Sequence, residues 1–160
     1  MGNFMQNRMK THQLNEEEIT SLLEAEQVGR LATINPDGTP YITPVHYVFY
    51  NQKIYIHGLI RGQKMKNITE NPNVCFEIDQ FEKLILPEEK SPCDVNTQYQ
   101  SVIITGTAKI VEDDKLKAEA LNLIIEKYTP SLSGAPFGNA IKATGVTEMD
   151  IKEMTGKYYE

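Results

Sequence analysis

The chain has 160 residues, 24% of them charged, with a formal net charge of −6, 3 His, 2 Cys and no Trp. That length suits one compact domain, and the negative balance with no local Lys/Arg run argues against a nucleic-acid partner. No apolar run approaches the ~20 residues needed to span a bilayer, and the start lacks a charged, then apolar, then small leader layout. The expectation is therefore no membrane partner and residence in the cytoplasm.

Residues 1–14 carry no sustained periodicity and read as a loose arm before a single domain over 15–160. Asn15 followed by Glu18 has the spacing of a capping box, and Ile19, Leu22 and Leu23 mark the apolar stripe of a helix ending near Gln27. From Val28 the period changes to two: Val28–Ile34 reads as a strand closed by the turn Asn35-Pro36-Asp37-Gly38. Tyr41–Tyr50 is rich in β-branched and aromatic residues, and Pro44 places an edge or a bulge there. If Asn51-Gln52 is a two-residue turn, Tyr50 pairs with Lys53 and His46 falls opposite His57 on one face.

The next stretch, Tyr55-Ile56-His57-Gly58-Leu59-Ile60-Arg61-Gly62-Gln63-Lys64, runs from a strand through a Gly-containing bend into a short helix, Gln63–Glu70. Backbone N–H groups at a helix start carry partial positive charge, glycines admit close approach, and Lys64 adds a full charge, which together suit a phosphorylated ligand. A strand over Asn73–Asp79 follows. Cys75 lies in its apolar run and reads as a small hydrophobe; Cys93 shares no metal-knuckle spacing with it. Residues 81–98, with Pro87 and Pro92, read as a long surface connection. Tyr99–Val111 is a strand with one apolar face, Asp113–Tyr128 a helix, Ser131–Asn139 a loop, and Ala143–Ile151 a closing strand. Hairpins interrupted by short helices suggest an antiparallel β-barrel, class α+β, mainly β.

In order along the chain, Val28-Gly29-Arg30-Leu31-Ala32-Thr33, Asp37-Gly38-Thr39-Pro40-Tyr41, Tyr55-Ile56-His57-Gly58 with Gly62-Gln63-Lys64, and Tyr99-Gln100-Ser101-Val102 with Gly106 resemble the FMN-binding split-barrel superfamily. Within it, the chain looks like the pyridoxamine 5′-phosphate oxidase-related group that includes the nitroimidazole-resistance (Nim) reductases. The match covers roughly residues 15–151 and rests on the ordered set of motifs. It implies an antiparallel split β-barrel with flanking helices and a homodimer that holds two FMN molecules at its interface. Carried over by position, Arg30 and Lys64 meet the phosphate with help from Gln63. The backbone of Leu31, Ala32 and Thr33 lines the flavin, His57 and Gly58 sit beside ring and ribityl chain, and Ser101 lies on the central strand. Two departures stand out: the chain lacks the tryptophan and Arg-x-His ending of the true pyridoxamine phosphate oxidases, and Gln63 stands where those usually carry arginine.

The function implied is an FMN-dependent oxidoreductase, with electrons passing from NADH or NADPH to a small acceptor such as a nitroaromatic. His57, with an intrinsic pKa near neutrality, is the candidate catalytic proton donor. Two other readings stay open: a flavin-binding protein without turnover, and a metal-binding protein using His46 and His57, with or without Cys75, or a haem-binding variant of the same barrel.

Overall fold

Period-two alternation in the β-branched segments builds the sheet, and the two helical stretches with three- and four-residue apolar spacing cover it. The computed structural model describes residues 10–88 and 92–160. Its elements are α1 (Glu16–Ala25), β1 (Gly29–Ile34), β2 (Pro40–Val45), β3 (Tyr47–Tyr50), β4 (Lys53–Leu59), α2 (Gln63–Glu70), β5 (Asn73–Ile85), β6 (Asn96–Ile110), α3 (Asp114–Tyr128) and β7 (Thr144–Tyr159). The strands form one antiparallel sheet in the order β2-β1-β5-β6-β7-β4-β3. β2 and β3 stand at opposite ends of that order, yet only His46 separates Val45 from Tyr47. The sheet must therefore curl until its two edges meet at His46, which produces the split barrel of an α+β, mainly β fold.

Pro44 falls on edge strand β2, where a missing N–H costs no ladder bond. The main core fills the barrel with Leu31, Ile54, Ile56, Phe76, Ile78, Val102 and Ile104, and Ile19, Leu22 and Leu23 of α1 close it. α1 starts at the expected capping box: the Glu18 N–H donates to Asn15 Oδ1 at 3.0 Å, and the Asn15 N–H donates to Glu18 Oε2 at 2.7 Å. A second core lies where Ala120 and Leu121 of α3 cover Tyr55, Val111 and Val146. No helix among the described residues is long and apolar enough to cross a membrane.

Three boundaries differ from the sequence reading. Of the arm expected over 1–14, residues 1–9 lie outside the described residues, while the end of it is bound down. The Tyr158 N–H donates to the His12 carbonyl and the Leu14 N–H to that of Gly156, both at 3.1 Å, and Leu14 is buried. β4 pairs only with the first part of β7, so the second part has a free edge that the arm occupies. The connection expected over 81–98 is mostly a β-ribbon: Phe81 pairs with Tyr99 and Ile85 with Asn96, past a bulge at Glu82. Charged Glu82 and Lys83 hide the alternation there, and residues 89–91 at its tip lie outside the described residues. β7 runs on from Ile151 to Tyr159 because its second half lies on β6, a long-range pairing that local propensity does not encode.

A bulge at Lys152 brings the β7 backbone against β6, so a side-chain Cβ on Gly106 would lie 2.0 Å from the Asp150 carbonyl oxygen. Gly106→Ala is expected to cost about 3 kcal/mol, read as a lower urea midpoint, because only backbone faces the added methyl and it has little room to give.

Candidate functional site

The turn at Asn51-Gln52 has φ of 50° and 58°, the primed geometry that suits a tight hairpin. Tyr50 pairs with Lys53 and Tyr47 with Ile56, so one further step places His46 opposite His57, as the hairpin arithmetic predicts. Their ring centroids are 6.1 Å apart. His46 also stacks on Tyr128, centroid to centroid 4.5 Å. Tyr128, in the last turn of α3, accepts the Tyr47 N–H at 2.9 Å and reaches the carbonyls of Gln27 (2.7 Å) and Tyr47 (2.9 Å). It clips the corner at which the barrel edges meet. The sequence marked Tyr128 only as a helix end, since nothing local ties it to residue 47.

Lys64 lies on the other side of His57. Its ammonium nitrogen is 3.4 Å from the point a Cβ on Gly58 would occupy, so the missing side chain of Gly58 makes room for it. Lys64 is half-buried, burial lowers its pKa, and it forms no ion pair among the described residues. It sits in the first turn of α2, whose N-cap is Gly62 at φ 134°, a conformation that only glycine adopts readily. No side chain caps this end, and the first intrahelical bond runs from the Lys66 N–H to the Gly62 carbonyl. The first turn of α2 thus offers free N–H groups and also carries an unpaired ammonium, a combination suited to a dianion. His57 titrates below its usual range, chiefly through burial, then through His46 and the nearby Lys64 charge, and is neutral at neutral pH.

A buried amide fixes α2 in place. Asn67 is fully buried; its Nδ2 donates to Thr33 Oγ1 (3.0 Å) and Asn35 Oδ1 (2.9 Å), and its Oδ1 accepts from Gln63 Nε2 (2.8 Å). Thr33 in turn donates to the Tyr41 carbonyl at 3.3 Å. Gln63 and Thr33 thus belong to the network that ties α2 to β1, and Asn67, which sequence reading passed over, is its hub. The main chain of Leu31 and Ala32 is laddered to β2 and to β5, whereas Thr33 is paired with β2.

Arg30 and Ser101 lie elsewhere. The Arg30 guanidinium is shared by Glu77 at 3.1 Å and Asp79 at 2.5 Å on β5. Ser101 stands directly opposite Asp79, and its buried Oγ has no hydrogen-bond partner among the described residues. On its other side Ser101 pairs with Lys157, whereas His57 pairs with Val146, so the two residues sit near opposite ends of β7. Cys75 lies on β5, three strands from β4 in the sheet order, with its thiol pKa raised by burial. The structure therefore overturns a metal set of His46, His57 and Cys75, and no three His, Cys, Asp or Glu among the described residues converge to hold an ion.

A cleft of about 530 Å³ opens beside the histidines, lined by Leu121, Ile124, Ile125 and Tyr128 of α3, by Phe137 and Ile141, and by Gln27, His46, His57, Thr129, Ala140 and Thr144. The loop expected over 131–139 thus contributes a wall through Phe137, while the described residues of 81–98 contribute none.

The family model described as pyridoxamine 5′-phosphate oxidase matches residues 15–158. A curated relative, 5a,11a-dehydrotetracycline/5a,11a-dehydrooxytetracycline reductase from Streptomyces rimosus, is 32% identical over 98 residues, 59% of this chain and 61% of that protein. The chain spans about three fifths of that relative's length. Among solved structures, a flavocytochrome from Azotobacter vinelandii superposes with a TM-score of 0.84 at 21% identity, over 98% of this chain and 72% of that one. A candidate 5-nitroimidazole antibiotic resistance protein from Bacteroides thetaiotaomicron gives 0.77 at 23% identity, over 91% and 85%. At these identities the two structures speak for the fold.

Proposed function

The chain belongs to the pyridoxamine 5′-phosphate oxidase family, and from that premise we propose that it is an FMN-dependent oxidoreductase passing electrons from a reduced nicotinamide to a small organic acceptor. The observation that carries this reading is the unpaired, half-buried Lys64 ammonium at the uncapped start of α2, where the space around the N-cap Gly62 is open. A flavin 5′-phosphate fits it in charge, since the helix N–H groups and Lys64 supply donors and no carboxylate there competes. Neutral His57 offers the ring edge one donor and one acceptor, and on this reading its minor imidazolium form, made more acidic by the lowered pKa, hands a proton to the acceptor. Bound there, the flavin supplies the two-electron chemistry, and the protein supplies position and charge.

Arg30 is a weaker phosphate ligand on this reading, because two carboxylates already hold its guanidinium. Ser101 belongs to the site only if a second chain brings it. From Val146 to Lys157, β7 covers on the order of 35 Å of strand, so one chain cannot set Ser101 and His57 on the same flavin. The Ser101 Oγ, which has no hydrogen-bond partner among the described residues, and the exposed Ile42 and Ile103 support a homodimer across that outer face. A nitroaromatic such as a 5-nitroimidazole is the acceptor we favour, by analogy with the resistance protein named above. The cytoplasm, which holds reduced nicotinamides and keeps thiols such as Cys75 and Cys93 reduced, is the fitting compartment.

The test is an absorbance spectrum of the purified protein after FMN loading, followed by anaerobic addition of NADH or NADPH and then of a 5-nitroimidazole. The expected result is one flavin per chain, bleached by the nicotinamide and restored by the acceptor. Bound flavin that neither nicotinamide reduces would leave a flavin carrier, and a Soret band in place of flavin would turn the reading to haem.

A further inference from the structure

We propose that the cleft between α3, Phe137 and the His46/His57 corner is the seat of the electron acceptor, and that it selects an uncharged, planar, largely apolar ring system. The inference rests on the oxidoreductase reading only in calling the occupant an acceptor.

The selection follows from what lines the cleft. In a chain with 24% charged residues, none of the lining side chains is Asp, Glu, Lys or Arg. A charged ligand entering it would give up water without meeting a counter-charge, which is costly. Leu121, Ile124, Ile125 and Ile141 supply apolar walls, and the aromatic rings of His46, Tyr128 and Phe137 also line the cleft, a surface against which a flat π-system packs well. At about 530 Å³ the space lies within the roughly 300–1,000 Å³ typical of small-molecule clefts.

The polar groups narrow the choice further. Thr144 Oγ1 donates to the Ala140 carbonyl at 3.0 Å and Thr129 Oγ1 to that of Ile125 at 3.5 Å, so both hydroxyl protons are engaged. The Tyr128 hydroxyl is tied to the backbone of residues 27 and 47. Neither His46 nor His57 has a hydrogen-bond partner among the described residues, which leaves the two imidazoles and Gln27 to meet a polar substituent. A carbonyl or nitro oxygen on the ring system suits an imidazole N–H. His57 lines the cleft and feels the Lys64 charge, which links the two places electrostatically.

The discriminating probes are 9-fluorenone and 9-fluorenone-2-carboxylate, which share one planar tricyclic ketone and differ by a single charge. Titrated calorimetrically into the FMN-loaded full-length protein, the ketone is expected to bind at least about tenfold more tightly than the carboxylate. Ala140→Trp, which fills the cleft from an exposed turn, is expected to abolish ketone binding and leave FMN affinity and melting temperature unchanged. Equal affinity for the two probes, indifference of the Trp variant, or displacement of the ketone by FMN would each overturn the assignment. Protein that takes up no FMN yet keeps the preference for the neutral ketone would remove the oxidoreductase reading and uphold this one.

Discussion

Lys64→Ala is expected to weaken FMN binding about 100-fold, the loss of one charge-assisted contact to a phosphate. The same variant should melt at or slightly above the wild-type temperature. Lys64 is a half-buried cation with no ion pair among the described residues, so removing it relieves a desolvation cost and breaks no salt bridge. Opposed effects on affinity and stability distinguish a ligand-binding lysine from an ordinary helix lysine, which would change neither much. Arg30→Ala should behave differently. Its ion pairs with Glu77 and Asp79 are about half exposed and contribute little to stability, and its charge is already balanced. Its effect on FMN affinity is expected to be about tenfold or less. Fluorescence titration of FMN together with differential scanning calorimetry on the two variants checks both statements.

Glu148→Gln is expected to lose about 3 kcal/mol of unfolding free energy at pH 7. Glu148 on β7 is 3% exposed and binds Lys53 at 2.8 Å, Lys109 at 2.9 Å and the Tyr55 hydroxyl at 2.9 Å; Lys53 also pairs with Asp150. Burial alone would raise its pKa, but hydrogen bonds from Lys53, Lys109 and Tyr55 overcome that and hold it at about 2, against an ordinary 4.5. Because the folded pKa lies below the unfolded one, the stabilisation is complete above about pH 5 and disappears as pH falls toward 2. Glutamine imitates the protonated side chain. Urea unfolding of wild type and variant should therefore differ most at neutral pH and converge at acid pH, and a gap that stays constant down to pH 2 would contradict the charge network.

Local chemistry carried much of the fold. The capping box at Asn15 and Glu18, the hairpin at Asn51-Gln52 and the start of α2 after Gly62 each depend on residues within a few positions of one another, and each is where the pattern puts it. The errors concern partners far away in the chain. The ribbon over 81–98 and the second half of β7 are strands because β6 lies beside them, and charged residues on the solvent side mask their alternation. The candidate site divides in the same way. Gly58, Gly62 and Lys64 were legible together because one bend holds them. Asn67 was not, since a buried amide is conspicuous only once Thr33 and Asn35, 34 and 32 positions away, are seen around it. Tyr128 escaped notice for a similar reason, being 81 positions from the backbone it clips. Arg30 reads alike as a phosphate ligand and as an ion-pair partner until β5 supplies its two carboxylates.

The most direct measurement compares the affinity of the protein for FMN and for riboflavin, which share a ring and a ribityl chain and differ only in the phosphate. With the phosphate seated on Lys64 and the first turn of α2, FMN should bind at least about 100-fold more tightly by equilibrium fluorescence quenching. Equal affinities for the two flavins would contradict the anchor on which the functional reading depends.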